Sequence, residues 1–320
     1  MISRDLATFA EVSGGVLQGA NAKFARVSSD SRALEPGALF VALTGDRFDG
    51  HDFVAAAAKL GAAGAIVSRP VDCALPQVVV ADTLAGLATF ANAWRRSFAG
   101  VVVGITGSNG KTTVKEMTGA ILAELGPCLV TQGNLNNHIG VPLTLCRLEA
   151  KHRCAVIEMG ANHLREIAHL AAIAEPTVGL VINAGQAHLE GFGGIEGVAR
   201  GKGEMFEALG PDGTAVINVD DRFAAFWQDR ARRAGRVVTF GLRERADVSA
   251  RDVRSHLGSA GFVTTFELVT TSGARSIELG LAGEHNVMNA LAATAAAMAA
   301  GAELDAVQRG LQSMRPVSGR

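Results

Sequence analysis

Short apolar runs alternate along this chain with stretches whose apolar residues recur every three or four positions. The first pattern suits buried strands and the second suits helices with one buried face. In the first hundred residues, strands are predicted at 38–43, 65–68 and 78–81. A helix at 53–60 is stopped by Gly61, and a second helix, capped by Asp82, runs to about Phe98. From Gly100 the alternation becomes regular. Strands at 101–106, 154–158, 178–183, 214–219 and 236–241 interleave with helices at 112–125, 163–174, 195–209 and 222–233. This implies a mostly parallel sheet with helices on both faces. Residues 247–280 change to period two, which predicts an antiparallel segment at one edge. Helices at 284–300 and 303–313 follow. The expected organisation is α/β, with a small N-terminal α/β domain over 1–98, a mostly parallel-sheet domain over 99–314 and a linker-like 315–320.

The strand at 101–106 runs into Gly107, Ser108, Asn109, Gly110, Lys111, Thr112 and Thr113, directly before a helical pattern. Glycines at 107 and 110 let backbone N–H groups turn inward around an anion, and Lys111 adds a mobile positive charge. The Thr112 hydroxyl is suited to holding Mg²⁺ against two phosphates, and the helix N-terminus faces the same anion. The run departs from the general pattern G-x-x-x-x-G-K-[ST], because Ile105 stands five before Gly110. An ordinary strand-to-helix turn is the competing explanation.

Composition narrows the classes. The chain has 320 residues, 48% apolar and 19% charged, as a soluble globular protein of two or three domains would. A net charge of −1 gives no reason to expect nucleic acid or an anionic membrane as partner. Cys73, Cys128, Cys146 and Cys154 form no C-x-x-C pair and no zinc spacing, so they read as small apolar residues in a reducing compartment. The N-terminus lacks a signal-peptide pattern, and the alanine-rich run 290–302 is too short to span a bilayer. A cytoplasmic monomer is expected. Only six of the 30 basic residues are lysine: Lys23, Lys59, Lys111, Lys115, Lys151 and Lys202. Where arginine is the default, a lysine can mark a place needing a compact, titratable amine, although codon bias gives the same imbalance.

In an open parallel sheet, ligands gather at the C-terminal strand ends. Two other strands end there in Glu158 and, six residues past Ile182, in His188. Glu158 suits Mg²⁺ ligation and His188 less so; alternatively, one caps a helix and the other is a satisfied loop histidine. Lys202 falls in the middle of the apolar stripe Ile195, Val198, Met205, Phe206 and Leu209. Either its amine snorkels to solvent, or burial lowers its pKa and leaves a neutral amine able to react with CO₂ to give an anionic carbamate. Asn286 is either a helix cap or, with Asn289, an amide pair for a purine edge. Asn134, Asn136 and Asn137 form a polar loop that is either a turn or a donor set for a sugar or phosphate. Spacing alone assigns nothing to Asp30-Ser31-Arg32 or to the run from Gly45 to His51.

Together these segments resemble the Mur ligase family of bacterial peptidoglycan synthesis, from about Val27 to the last residue. The likeness rests on the phosphate loop 104–113, on 134–142 with Glu158-Met159-Gly160-Ala161, and on Ala187-His188-Leu189-Glu190 with Lys202-Gly203-Glu204-Met205-Phe206. It is greatest to the dipeptide-adding member. The resemblance implies an N-terminal uridine-nucleotide domain, a central ATP-binding domain, and a third domain that is absent from this chain. It implies that Gly107, Ser108, Asn109, Gly110, Lys111, Thr112 and Thr113 hold ATP phosphates, and that Asn286 contacts adenine. Thr112, Glu158, His188 and Lys202 as a carbamate would hold Mg²⁺, with Lys111, Lys202 and His188 catalytic. Ser29, Ser31, Arg32, Asp46, Arg47 and Phe48 would sit near the UDP group, and Asn134, Asn136 and Asn137 would face the muramyl nucleotide.

The implied reaction is ATP-dependent ligation of D-alanyl-D-alanine to UDP-N-acetylmuramoyl-tripeptide. The alternatives are the ligase adding the third peptide residue, or a fragment that binds UDP-sugar and ATP without turnover. The uridine-type first domain argues against a folate polyglutamate ligase, and the lack of an Asn-Lys-x-Asp run argues against a GTPase.

Overall fold

The structure, a computed structural model, describes residues 1–45, 48–187, 189–258 and 261–314. It divides into two compact units, Met1–Ala99 with His138–Ala150, and Gly100–Asn137 with the chain from Lys151 on. The expected uninterrupted 99–314 domain is therefore corrected at 138–150. That segment joins the first unit because the helix Gly140–Leu145 buries Val141, Pro142, Thr144 and Leu145 and packs on the helix Thr83–Arg96.

In the first unit five short strands lie in the order Val16–Gln18, Gln77–Val79, Gly64–Val67, Leu39–Val41, Val27–Ser28. Only the first pair is antiparallel. The central strands are buried on both faces, so they show as continuous apolar runs rather than as alternation. Asp82 caps the helix Thr83–Arg96 as expected, accepting from the N–H groups of Leu84 and Ala85. Two side chains hold residues 146–148 in place. The Trp94 indole donates to the Leu148 carbonyl at 3.1 Å, and Arg4 donates to the Cys146 and Leu148 carbonyls at 2.7 Å while lying 4.4 Å over the Trp94 ring.

The second unit is built on a nine-stranded sheet. Its order runs Gly273–Leu279, Gly261–Thr270, Val248–Gly258, Arg236–Phe240, Thr214–Asn218, Val178–Val181, Val101–Thr106, Cys154–Glu158, Cys128–Val130. The strands from Cys128–Val130 to Val248–Gly258 pair in parallel, and the last three form the antiparallel edge predicted from period two. The helix Glu284–Ala299 buries a run of alanines against this sheet and against the helix Lys111–Ala123. Their small side chains let the helix approach closely.

Val101–Thr106 lies between Cys154–Glu158 on one side and Val178–Val181 on the other. The chain leaves this strand first toward one flank and later toward the other. That switch opens a crevice at the C-terminal strand ends, where ligands bind in such sheets. Among the described residues, no helix is long and apolar enough to cross a membrane.

Candidate active site

The phosphate loop leaves Thr106 and enters the helix Lys111–Ala123 through Gly110, which has φ +81°. A Cβ at Gly110 would lie 2.5 Å from Asn289 Oδ1, so both the backbone and the neighbour require glycine. The N–H groups of Ser108 and Asn109 are not free to face an anion. They donate to Asn183 Oδ1 at 3.1 and 3.0 Å, while Asn183 Nδ2 donates back to the Asn109 carbonyl. The anion is left to the first-turn N–H groups of the helix, which have no helical acceptor, and to Lys111. The Lys111 ammonium donates to the carbonyls of Gly107 (2.8 Å) and Ser108 (3.3 Å). Burial lowers its pKa, and the Glu158 charge opposes that shift.

Glu158 ends its strand almost fully buried, with 2% of its surface exposed. It does not cap the next helix, Glu166–Ala174, whose N-cap is Arg165. Its Oε1 accepts from Asn136 Nδ2 at 2.7 Å, and its Oε2 has no hydrogen-bond partner. Thr106 Oγ1, on the neighbouring strand, is likewise buried without a partner. Among the described residues, no three His, Cys, Asp or Glu side chains converge as a metal cage. A hard ion that keeps waters and shares phosphates needs only one or two protein oxygens, so Glu158 Oε2, which no hydrogen bond uses, and the Thr112 hydroxyl fit Mg²⁺.

Lys202 does not snorkel. It lies within the helix Ile195–Glu207 with 2% of its surface exposed. Its Nζ donates to the Ala161 carbonyl at 3.3 Å and sits 5.2 Å from the Phe192 ring centroid. Burial, helped by the Lys111 charge, lowers its pKa to about 8 against the pull of Glu166 and Glu204. Glu204 holds this region together. Its carboxylate accepts from the N–H groups of Arg165 (2.7 Å) and Ala168 (3.0 Å), fixing the start of the helix Glu166–Ala174.

A cavity of about 920 Å³ is lined by Asn109, Gly110, Thr112 and Thr113, by Asn134, and by Asn286 and Asn289. Asn286 is not the cap of its helix; that position is Gly283. Its amide bonds the Ala282 carbonyl at 2.8 Å and accepts from Asn289 Nδ2 at 3.2 Å. Asn136, expected to face a sugar nucleotide, donates its Nδ2 to Glu158 Oε1 at 2.7 Å. His188, Asp46 and Arg47 lie outside the described residues.

In the first unit, Ser29 and Ser31 flank Asp30, which caps the short turn Ser31–Ala33. The Arg32 guanidinium grips Asp30 through two bonds of 2.9 Å and holds that carboxyl at about 2. Phe48 is exposed. Buried His51 lies 2.5 Å through Nδ1 from Asp49 and accepts the Ser68 N–H at 2.8 Å through Nε2. That gives the Asp49-Gly50-His51 run a structural task that spacing could not assign.

The profile of the Mur ligase middle domain matches residues 105–297, and that of the Mur ligase family catalytic domain matches residues 23–95. The chain belongs to the Mur ligase family. It is 46% identical over 323 residues to the UDP-N-acetylmuramoyl-tripeptide–D-alanyl-D-alanine ligase of Escherichia coli K12, covering 100% of this chain and 70% of that protein. For the Haemophilus influenzae ligase of the same name the identity is 41%, over 94% of this chain and 65% of the relative. Crystal structure I of MurF from Acinetobacter baumannii superposes with a TM-score of 0.89 at 39% identity, covering 98% of this chain and 69% of that one. The Thermotoga maritima MurF ligase in complex with ADP gives 0.77 at 30% identity, covering 92% and 67%. The chain thus spans about two thirds of the length of these Mur ligases.

Two participants escaped the sequence reading. Asn183 shapes the phosphate loop and Glu204 braces the Lys202 region, and neither carries a periodicity signal. Lys115, fully buried one turn beyond Lys111, could have been found from the scarcity of lysine.

Proposed function

We propose that this chain carries the nucleotide-handling core of an ATP-dependent ligase joining D-alanyl-D-alanine to UDP-N-acetylmuramoyl-tripeptide, in the cytoplasm. The observation that supports this reading is that Lys111, at the end of the phosphate loop, is coupled to two further groups. Lys111 feels the charges of both Glu158, whose Oε2 has no hydrogen-bond partner, and the buried Lys202. The names of the relatives supply the substrates.

In this scheme the peptide carboxylate attacks the γ-phosphorus of ATP and the bond to the ADP oxygen breaks, giving an acyl phosphate. The dipeptide amine then attacks the acyl carbon, phosphate leaves, and the amine loses a proton. Lys111 and the first-turn N–H groups stabilise charge on the transferring oxygens. Thr112 and Glu158 would hold Mg²⁺, which would supply further charge neutralisation there. Asn286 and Asn289 present amides to the purine edge, and Asn134 faces the substrate side of the cavity. Neutral Lys202 combines with CO₂, losing a proton to become a carbamate anion on the same rim.

Phosphate release from ATP is expected only when the tripeptide nucleotide and D-alanyl-D-alanine are both present. Release that ignores the dipeptide would sink the assignment. Calorimetric binding of the nucleotides with no release under any condition would favour the second reading, a core that holds both nucleotides without turnover.

A further inference from the structure

Lys115 is a fully buried cation that the reaction scheme leaves unused. Its side chain is 0% exposed, and it sits four residues after Lys111 on the helix Lys111–Ala123. Like charges at that spacing repel, and an ammonium inside a protein requires anionic company. Lys115 Nζ lies 3.0 Å from Glu116 Oε1 and 3.8 Å from Glu158 Oε2, and it donates to the Gly133 carbonyl at 3.4 Å. Gly133, with φ +53°, forms a turn with Asn134, two residues before Asn136. Asn136 in turn donates to the other oxygen of Glu158 at 2.7 Å. One ammonium therefore touches the phosphate-loop helix, the end of the Glu158 strand and the asparagine turn.

The spacing to Glu158 is informative. At 3.8 Å the ammonium attracts Oε2 without forming a hydrogen bond, and that oxygen has no other partner. The ammonium therefore faces the carboxylate with its charge and leaves the lone pairs of Oε2 unused. A methionine would fill the same volume but could not do this.

We propose that Lys115 is a positioning residue for the divalent-cation site. Its charge fixes Glu158 and the asparagine turn against the phosphate-loop helix, so that Oε2 meets the incoming cation already aimed. This rests on the reading of the site as a Mg²⁺–ATP site.

The test is calorimetry of β,γ-imido-ATP binding with Mg²⁺ and, separately, with EDTA. The readout is the ratio of the two affinities, which divides out any direct effect of Lys115 on the phosphates. Groups that orient metal ligands typically change metal affinity by 10–100-fold. Lys115→Met should therefore lower the ratio by about tenfold, and Lys115→Arg should largely restore it. In a Glu158→Gln background, Lys115→Met should lower it no further. An unchanged or raised ratio in Lys115→Met overturns the proposal. So does an equal loss in Lys115→Arg, or a full additional loss in the Glu158→Gln background. If Lys115→Met does not fold by circular dichroism, Lys115→Gln takes its place with the same expectations. Absence of any Mg²⁺-dependent gain in the unaltered chain would instead overturn the ATP-site reading itself.

Discussion

Lys202 offers the sharpest chemical prediction. Its amine titrates at about 8 because it is buried beside the Lys111 charge, whereas an unperturbed lysine titrates at 10.5. At pH 7.5 about a quarter of such amines are neutral, against about one in a thousand for an ordinary lysine. The CO₂-reactive form is thus enriched roughly 200-fold at this one side chain. Incubation with ¹³C-bicarbonate at pH 7.5 should give a protein-bound carbamate carbon signal by NMR. The signal should disappear in Lys202→Met and after acidification, and the surface lysines should contribute little. No bound signal in the unaltered protein at high bicarbonate would refute the reasoning. A signal surviving Lys202→Met would place the chemistry elsewhere.

Other outcomes follow from the same geometry. In CO₂-free buffer Lys202 binds its proton less tightly folded than unfolded, so its contribution to stability rises from pH about 8 to 10.5 and is lost as pH falls through about 8. For this buried group the change is on the order of 3 kcal/mol, read as a pH-dependent denaturation midpoint that flattens in Lys202→Met. Gly110→Ala places a Cβ against Asn289 at a positive φ, and should cost at least ~2 kcal/mol and weaken ATP-analogue binding more than about tenfold. Retained affinity would mean the loop bends more freely than its contacts allow. Glu204→Ala removes two charge-assisted bonds to backbone N–H groups and should destabilise by about 2–4 kcal/mol in a urea titration. Cys146, buried and pushed up to about 12, should stay unmodified by thiol reagents at pH 8 until the protein unfolds.

The parallel sheet was legible because its central strands are buried on both faces and appear as largely apolar runs, and the hairpin edge because it alternates. Val101–Thr106 and Cys154–Glu158 fall where the pattern placed them. Cys128–Val130 and Val16–Gln18 are three residues each, too short to carry a period. Residues 138–150 join the other unit through packing on Thr83–Arg96, a tertiary choice that no local pattern encodes. Lys202 could be singled out because a charge inside an apolar stripe contradicts its surroundings. Asn183 and Glu204 could not, because a polar residue at a strand end or helix flank looks ordinary until its backbone partners are known. The bond from Asn136 to Glu158 was not legible either, because an asparagine-rich loop advertises donors without showing where they point.

The proposed function requires one rim to gather nucleotide, divalent cation and the groups that handle them. Diffraction from crystals grown with β,γ-imido-ATP and Mn²⁺, recorded for anomalous scattering, tests this most directly. The manganese peak should lie beside the Thr112 hydroxyl and Glu158 Oε2, with the phosphates against the first turn of the helix Lys111–Ala123. A peak away from that rim, or phosphates bound elsewhere, would contradict it.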